Sequence, residues 1–199
     1  MLEILQEAGN RAIFNLASLQ PAEAYERVAR AYPEHHVEMD SKGNVIVMPP
    51  VSLSGGSGES ELNFQLQAWN RMTKLGKVFS SQSVFRLPNG AYRMPDCAWM
   101  PINEWNALPQ KAKTSYEGVV VPWFAVEIGS LTDDYGELDA KCREYITQDV
   151  RETWLINPRE RTTKIYRQGG TDLTQSKQLT GPSFMPGLIV DVEAVSNSF

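Results

Sequence analysis

Apolar positions recur at helical spacing soon after the start of the chain. Tyr25, Val28 and Ala29 share one face, and Pro21 sits where a first helical residue needs no N–H. This predicts a helix beginning after Leu19-Gln20. The pattern then shortens: His36–Met39 and Val45–Met48 read as strands around Asp40-Ser41-Lys42-Gly43-Asn44, which is turn chemistry. The stretch SLSGGSG, residues 52–58, predicts a flexible connector. It lacks the Gly-Lys-Ser/Thr ending of a nucleotide-binding loop. From about Glu59 to Lys74, Leu62, Leu66 and Trp69 return to helical spacing, with Gly76 as terminator.

The middle of the chain reads as sheet. Val78–Leu87 and Ala91–Met100 flank Pro88-Asn89-Gly90 and predict a hairpin, because Asn-Gly favours the tight turn that joins antiparallel strands. VVVPWFAVEI, residues 119–128, is nearly continuously apolar, as in a strand covered on both faces. Pro122 cannot donate to a ladder, so pairing is expected from about Trp123. Thr132–Gln148 predicts a helix with Asp133 and Asp134 in its first turn. Thr153–Ile156 and Thr163–Arg167 are strands around Asn157-Pro158, and a loop-rich tail ends in a strand at Leu188–Val192. The order of elements predicts an α/β fold, a mixed sheet flanked by helices, with an N-terminal helix and β-hairpin.

At 199 residues, 42% hydrophobic and 22% charged, the chain fits one domain, residues 1–199 with a core of about 36–192. No apolar run approaches the roughly 18 residues a membrane span needs, so no membrane partner is expected. The opening MLEILQEAGNR carries Glu3 and Glu7 before any basic residue, unlike a secretory signal, and a cytoplasmic location follows as the expectation. Cys97 and Cys142 form no CxxC and read as buried thiols. A net charge of −5 argues against a protein that coats nucleic acid, but not against an enzyme meeting DNA through a local patch.

Three residues stand out against this background. Asp96 follows Pro95 inside a strand pattern, a combination found at bulges and edges. Its plain structural reading is a turn aspartate at a strand end. Glu127 lies in the most apolar strand, between Val126 and Ile128, where a carboxylate is expensive unless paired or metal-bound. The alternative is a strand-end glutamate reaching solvent. On the helix over residues 132–148 the apolar positions are Leu138, Cys142, Tyr145 and Ile146, and Lys141 falls in the middle of that stripe. It either snorkels past the core edge or meets an anion, for which Glu127 is the nearest candidate. Together, two carboxylates offer the hard oxygens that Mg²⁺ or Mn²⁺ takes, with the Ile128 backbone carbonyl as a further donor. A lysine beside them could offset transition-state charge.

RMPDCAW, PWFAVEIGSLTDD and LDAKCREYITQDVRETWLINPRERTTKIYR, in that order, resemble the Uma-type restriction-endonuclease family within the PD-(D/E)XK nuclease superfamily. The matching positions are Pro95-Asp96, Val126-Glu127-Ile128 with Ser130, Lys141 with Tyr145, and Trp154 to Pro158. VEMDSKGNVIVMPP and Phe184-Met185-Pro186-Gly187-Leu188 extend the likeness from about His36 to Val192. The resemblance implies the restriction-endonuclease-like fold and a divalent-metal endodeoxyribonuclease acting on DNA. Asp96 and Glu127 would then be metal ligands, Lys141 the catalytic cation and Glu38 an additional acid. A homodimer is compatible with this reading.

Three positions depart from the pattern. Gly129 stands where the superfamily's lysine is usual, Glu38 matches its motif approximately, and Gly58-Glu59 replaces a common histidine. The rivals are a non-catalytic nuclease-fold module, and a glycosidase-like acid–base pair that leaves Lys141 without a role. His35-His36 lacks metal-ligand spacing. Arg159, Arg161, Lys164 and Arg167 read as a solvated basic hairpin that could touch phosphate, and Trp99, Trp105, Trp123 and Trp154 as packing residues.

Overall fold

The computed structural model describes residues 6–8, 11–15, 19–130 and 132–199, arranged in two compact units. The reading of Met1–Leu5 therefore lies outside the described residues. The first unit takes the described residues up to Pro50, with Gln82–Met94 and Leu108–Val121. The second takes Val51–Ser81, Pro95–Ala107 and Pro122–Phe199.

The chain enters the first unit with β1 (Gln6–Ala8), β2 (Arg11–Asn15), α1 (Pro21–Ala31), β3 (His36–Met39) and β4 (Asn44–Met48). Pro21 opens α1 as its position predicts, and the β3–β4 turn is tied by Asp40, whose Oδ1 accepts from the Lys42 and Asn44 N–H groups at 2.9 Å. The chain crosses to the second unit for α2 (Leu53–Thr73) and β5 (Gly76–Ser80), returns for β6 (Phe85–Arg86) and β7 (Tyr92–Arg93), and crosses again for β8 (Cys97–Pro101) and α3 (Ile102–Ala107). After α4 (Gln110–Thr114) in the first unit, the rest lies in the second. It comprises β9 (Phe124–Ile128), α5 (Tyr135–Thr147), β10 (Glu152–Asn157), β11 (Thr162–Arg167), β12 (Gly170–Thr174), β13 (Gln178–Thr180), β14 (Ile189–Asp191) and α6 (Val192–Ser196).

Among the described residues the first unit holds a six-stranded sheet, β1-β2-β4-β3-β7-β6. Its core joins Tyr25 and Val28 of α1 to Val37, Met39, Val45 and Tyr92 on the strands. The second unit holds another six-stranded sheet, β12-β11-β10-β9-β8-β5, and the ribbon β13-β14. Here β9 and β10 are parallel and joined through α5, while the other neighbours are antiparallel. One face carries α2, whose Leu62, Leu66 and Trp69 join Val126, Trp154 and Ile156. On the other face Cys142 and Ile146 of α5 join Leu155 and Tyr166.

Three expectations need correction. SLSGGSG is not a connector but the first turns of α2. Ser52 caps them by accepting from Gly55 N–H at 3.1 Å, and Gly58 is packed so tightly that an added Cβ would lie 2.5 Å from the Phe199 ring. The expected hairpin over 78–100 keeps its turn, with Gly90 at φ +88°, but its arms are shared between two sheets. The break falls at Met94-Pro95: Pro95 has no donor, and the Met94 N–H goes to Glu38 Oε1 at 2.9 Å. Finally, α5 begins at Tyr135, because Asp134 acts as its N-cap by accepting from Gly136 and Glu137 N–H rather than lying in the first turn.

Candidate active site

The two acids meet because of strand register. Strand β8 pairs with β9 through Cys97↔Val126, Ala98↔Ala125 and Trp99↔Phe124. One step further along the same register, Asp96 stands opposite Glu127, where cross-strand Cβ atoms are about 5 Å apart. Cys97 and Val126 point into the α2-side core, so strand alternation directs Glu127 to the opposite side, toward α5. Asp96 is held by the Ile128 N–H, which donates to its Oδ2 at 2.6 Å, and no other hydrogen bond reaches Asp96 among the described residues.

Glu127 is almost fully buried, with its side chain 4% exposed, and it is compensated from α5. Lys141 Nζ lies 3.0 Å from both carboxylate oxygens, and Tyr145 Oη donates to Oε1 at 2.9 Å. Lys141 and Tyr145 are one helical turn apart, so a single face of α5 delivers both donors to one carboxylate. The field here is strongly negative. Burial pushes the Asp96 carboxyl well above its ordinary range, and Glu127 and Glu59 push it further, against the Lys141 ammonium and the Ile128 N–H.

Gly129 has little room for a side chain of its own. A Cβ at Gly129 would lie 2.5 Å from Tyr135 Cζ and overlap the Tyr135 hydroxyl. Any side chain at this position, a lysine included, would need the space that the Tyr135 ring fills.

Asp96 also opens onto a cleft of about 470 Å³ between the outer face of α2 and the end of β5. Glu59, Ser60, Asn63, Phe64, Gln67 and Arg71 form its α2 wall, with Ser80 and Ser81 opposite. Sequence reasoning noted Glu59 only as a departure from a histidine. The available signal was the spacing of Glu59, Asn63 and Gln67, one turn apart on a face without core residues.

The donor set suits a hard divalent cation: carboxylate oxygens, with Asp96 lining the cleft and its Oδ1 in no hydrogen bond among the described residues. No group of three or more His, Cys, Asp or Glu side chains is poised to hold a metal among the described residues. A cation would rest on Asp96, Glu127, the Ile128 carbonyl and solvent.

The remaining candidates have the following partners. Glu38 is anchored inside the first unit, accepting from Arg93 Nη1 at 3.0 Å as well as from Met94. His36 Nε2 is 2.7 Å from Gln82 Nε2. The basic hairpin is largely committed: Arg161 donates to Asn197, Lys164 to Asp139, and Arg167 to Glu152 and Asp172. Trp99 and Trp154 are core residues, Trp105 packs near Phe79, and Trp123 lies under the Arg151 guanidinium. Both cysteines are free and buried. No helix among the described residues is long and apolar enough to cross a membrane.

A family model, Uma2, described as "Putative restriction endonuclease", matches residues 22–193. Among solved structures the chain is similar to "a putative nuclease belonging to DUF820" from Anabaena variabilis ATCC 29413. The two are 17% identical with a TM-score of 0.67, over 81% of this chain and 90% of that chain. No curated protein matches the chain. The fold is the restriction-endonuclease-like α/β fold, a mixed sheet with helices against it.

Proposed function

The chain belongs to the Uma2 family, and on that premise we propose that it is a divalent-metal-dependent endodeoxyribonuclease hydrolysing DNA phosphodiester bonds. The observation that carries this reading is the Lys141 ammonium held 3.0 Å from a buried Glu127, itself beside Asp96 at the end of adjacent strands. A core-facing lysine against two carboxylates is costly for stability alone. A cleavage site gives it a purpose.

Asp96, Glu127 and the Ile128 carbonyl would hold Mg²⁺ or Mn²⁺. When bound, such an ion supplies Lewis-acid stabilisation of charge on the scissile phosphate. Lys141 adds a fixed positive charge where negative charge builds up in the transition state. Tyr145 and Lys141 together fix the Glu127 carboxylate, and the Ile128 N–H fixes that of Asp96, so neither group must reorganise during reaction.

The test is Mg²⁺- or Mn²⁺-dependent nicking of supercoiled plasmid. Asp96→Asn and Lys141→Met, each checked for a native circular dichroism spectrum, should lose cleavage by about 10²-fold or more. Equal nicking by parent and both variants would remove these residues from the site. A second reading, a nuclease-fold module without catalysis, is favoured because no group of three or more His, Cys, Asp or Glu side chains is poised to hold a metal among the described residues. Parent protein that binds DNA but never nicks it with either metal would establish that reading instead.

A further inference from the structure

The outer face of α2 is unusual for a surface helix. Its buried face is set by Leu62, Leu66 and Trp69. The opposite side turns Ser60, Phe64, Gln67 and Arg71 toward the cleft at helical spacing. Phe64 is 67% exposed within this polar row, and Arg71 has no ion-pair partner among the described residues. A large ring left in water loses the stabilisation that burial would give it, and an unpaired guanidinium beside it is a ready phosphate ligand. Asp96 lies in the same cleft, so these features are continuous with the proposed cleavage site.

Building on the nuclease reading, we infer that this α2 face is the substrate wall of the site and takes unpaired DNA. Phe64 stacks on an unpaired base while Arg71 holds a backbone phosphate. Phe64 and Arg71 are two helical turns apart, about 10 Å, which is close to three stacked base steps at about 3.4 Å each. A base inside an intact duplex has both faces covered by its neighbours. Away from the terminal pair of a duplex, a free face for Phe64 comes from a single strand, a flap, a frayed end or a flipped nucleotide. Ser60, Gln67, Ser80 and Ser81 add neutral hydrogen-bonding groups, which suit sugar and phosphate oxygens without fixing a sequence.

The experiment is fluorescence anisotropy with a labelled single-stranded oligodeoxynucleotide, a blunt duplex and a flapped duplex of the same sequence, in Ca²⁺. The same three substrates are then assayed for cleavage in Mg²⁺. The parent should bind the single strand and the flap more tightly than the blunt duplex. Phe64→Ala should weaken single-strand binding about tenfold and Phe64→Trp should preserve it, because stacking needs only an aromatic face. Arg71→Ala should weaken binding on all three and lower the salt dependence by about one counterion. Equal affinity of the parent for all three substrates, unchanged binding in Phe64→Ala, or no DNA binding at all would each overturn the inference. If Phe64→Ala cleaves and binds like a parent that nicks DNA, the inference falls and the nuclease reading stands. If Phe64-dependent strand binding occurs without any cleavage, the inference stands and the catalytic reading falls.

Discussion

The Tyr135 ring beside Gly129 sets a condition that single-residue changes can test. Its hydroxyl is buried with no hydrogen-bond partner among the described residues, and burial, followed by the nearby Asp133 and Glu160, raises its pKa to about 12. The group therefore stays a neutral phenol at ordinary pH. Gly129→Ala should destabilise the protein by about 1–3 kcal/mol, because the ring must move to admit a methyl group. Tyr135→Phe removes only the unsatisfied hydroxyl and should leave stability unchanged or raise it by about 1 kcal/mol. Urea unfolding of the two variants checks both, and a neutral Gly129→Ala would show that the ring does not fill that space. The residue-level signals for Asp96, Glu127 and Lys141 were legible in the sequence because each breaks a local pattern. These are a carboxylate after a strand proline, a carboxylate in an apolar strand, and a cation in an apolar stripe. Glu59 contradicts nothing in its own helix, so its place beside Asp96 is visible only in the cleft it lines.

Among the elements, α2 was half legible. Leu62, Leu66 and Trp69 announced its later turns, but its first turns read as a connector because glycine costs a helix about 1 kcal/mol relative to alanine. What reverses that preference is a contact from the far end of the sequence, Phe199 against Gly58. Gly58→Ala should therefore destabilise the parent despite its better helix propensity. In a Phe199→Ala background the same substitution should stabilise by up to about 1 kcal/mol. A double-mutant cycle by thermal unfolding reads this change of sign. If Gly58→Ala stabilises both backgrounds, the Phe199 contact does not determine the residue at 58.

At the scale of the molecule, acid stability depends on how α5 is fastened to the sheet. Asp139 accepts from Lys164, from Arg143 at 2.6 Å and from Tyr166 at 2.8 Å. Burial alone would raise its pKa, but these three hydrogen bonds outweigh burial and hold the carboxyl down to about 2. An unfolded aspartate titrates near 3.9, so the fold favours the ionised form. The resulting stabilisation is complete above about pH 4 and disappears as pH falls toward 2. With the Asp139 side chain 26% exposed, solvent screening reduces the effect to about 1–2 kcal/mol. Asp139→Asn should cost that amount at pH 7, and the difference from the parent should close by about pH 2 in denaturant unfolding followed across pH. A gap that persists unchanged at pH 2 would mean the network acts by packing and not by charge.

Taken over the whole chain, local order fixed what local patterns encode. Helical spacing gave α1 and α5, alternation and apolar runs gave β3, β4, β9, β10 and β11, and the order of those elements gave the α/β class. The lysine in the α5 stripe and the two odd carboxylates were visible for the same reason, since a side chain that contradicts its own element needs only neighbours for the contradiction to show. What tertiary structure alone decided depends on residues far apart in sequence. The arms of the 78–100 hairpin divide between two sheets because Glu38 takes the Met94 N–H next to Pro95. Position 129 has no room for a side chain where the Tyr135 ring occupies the space beside it. Glu59 becomes a neighbour of Asp96 because α2 packs across the strand that follows Asp96. Periodicity records the face a residue presents, whereas partners across that face are set by packing, whose steric and electrostatic conditions no local window contains.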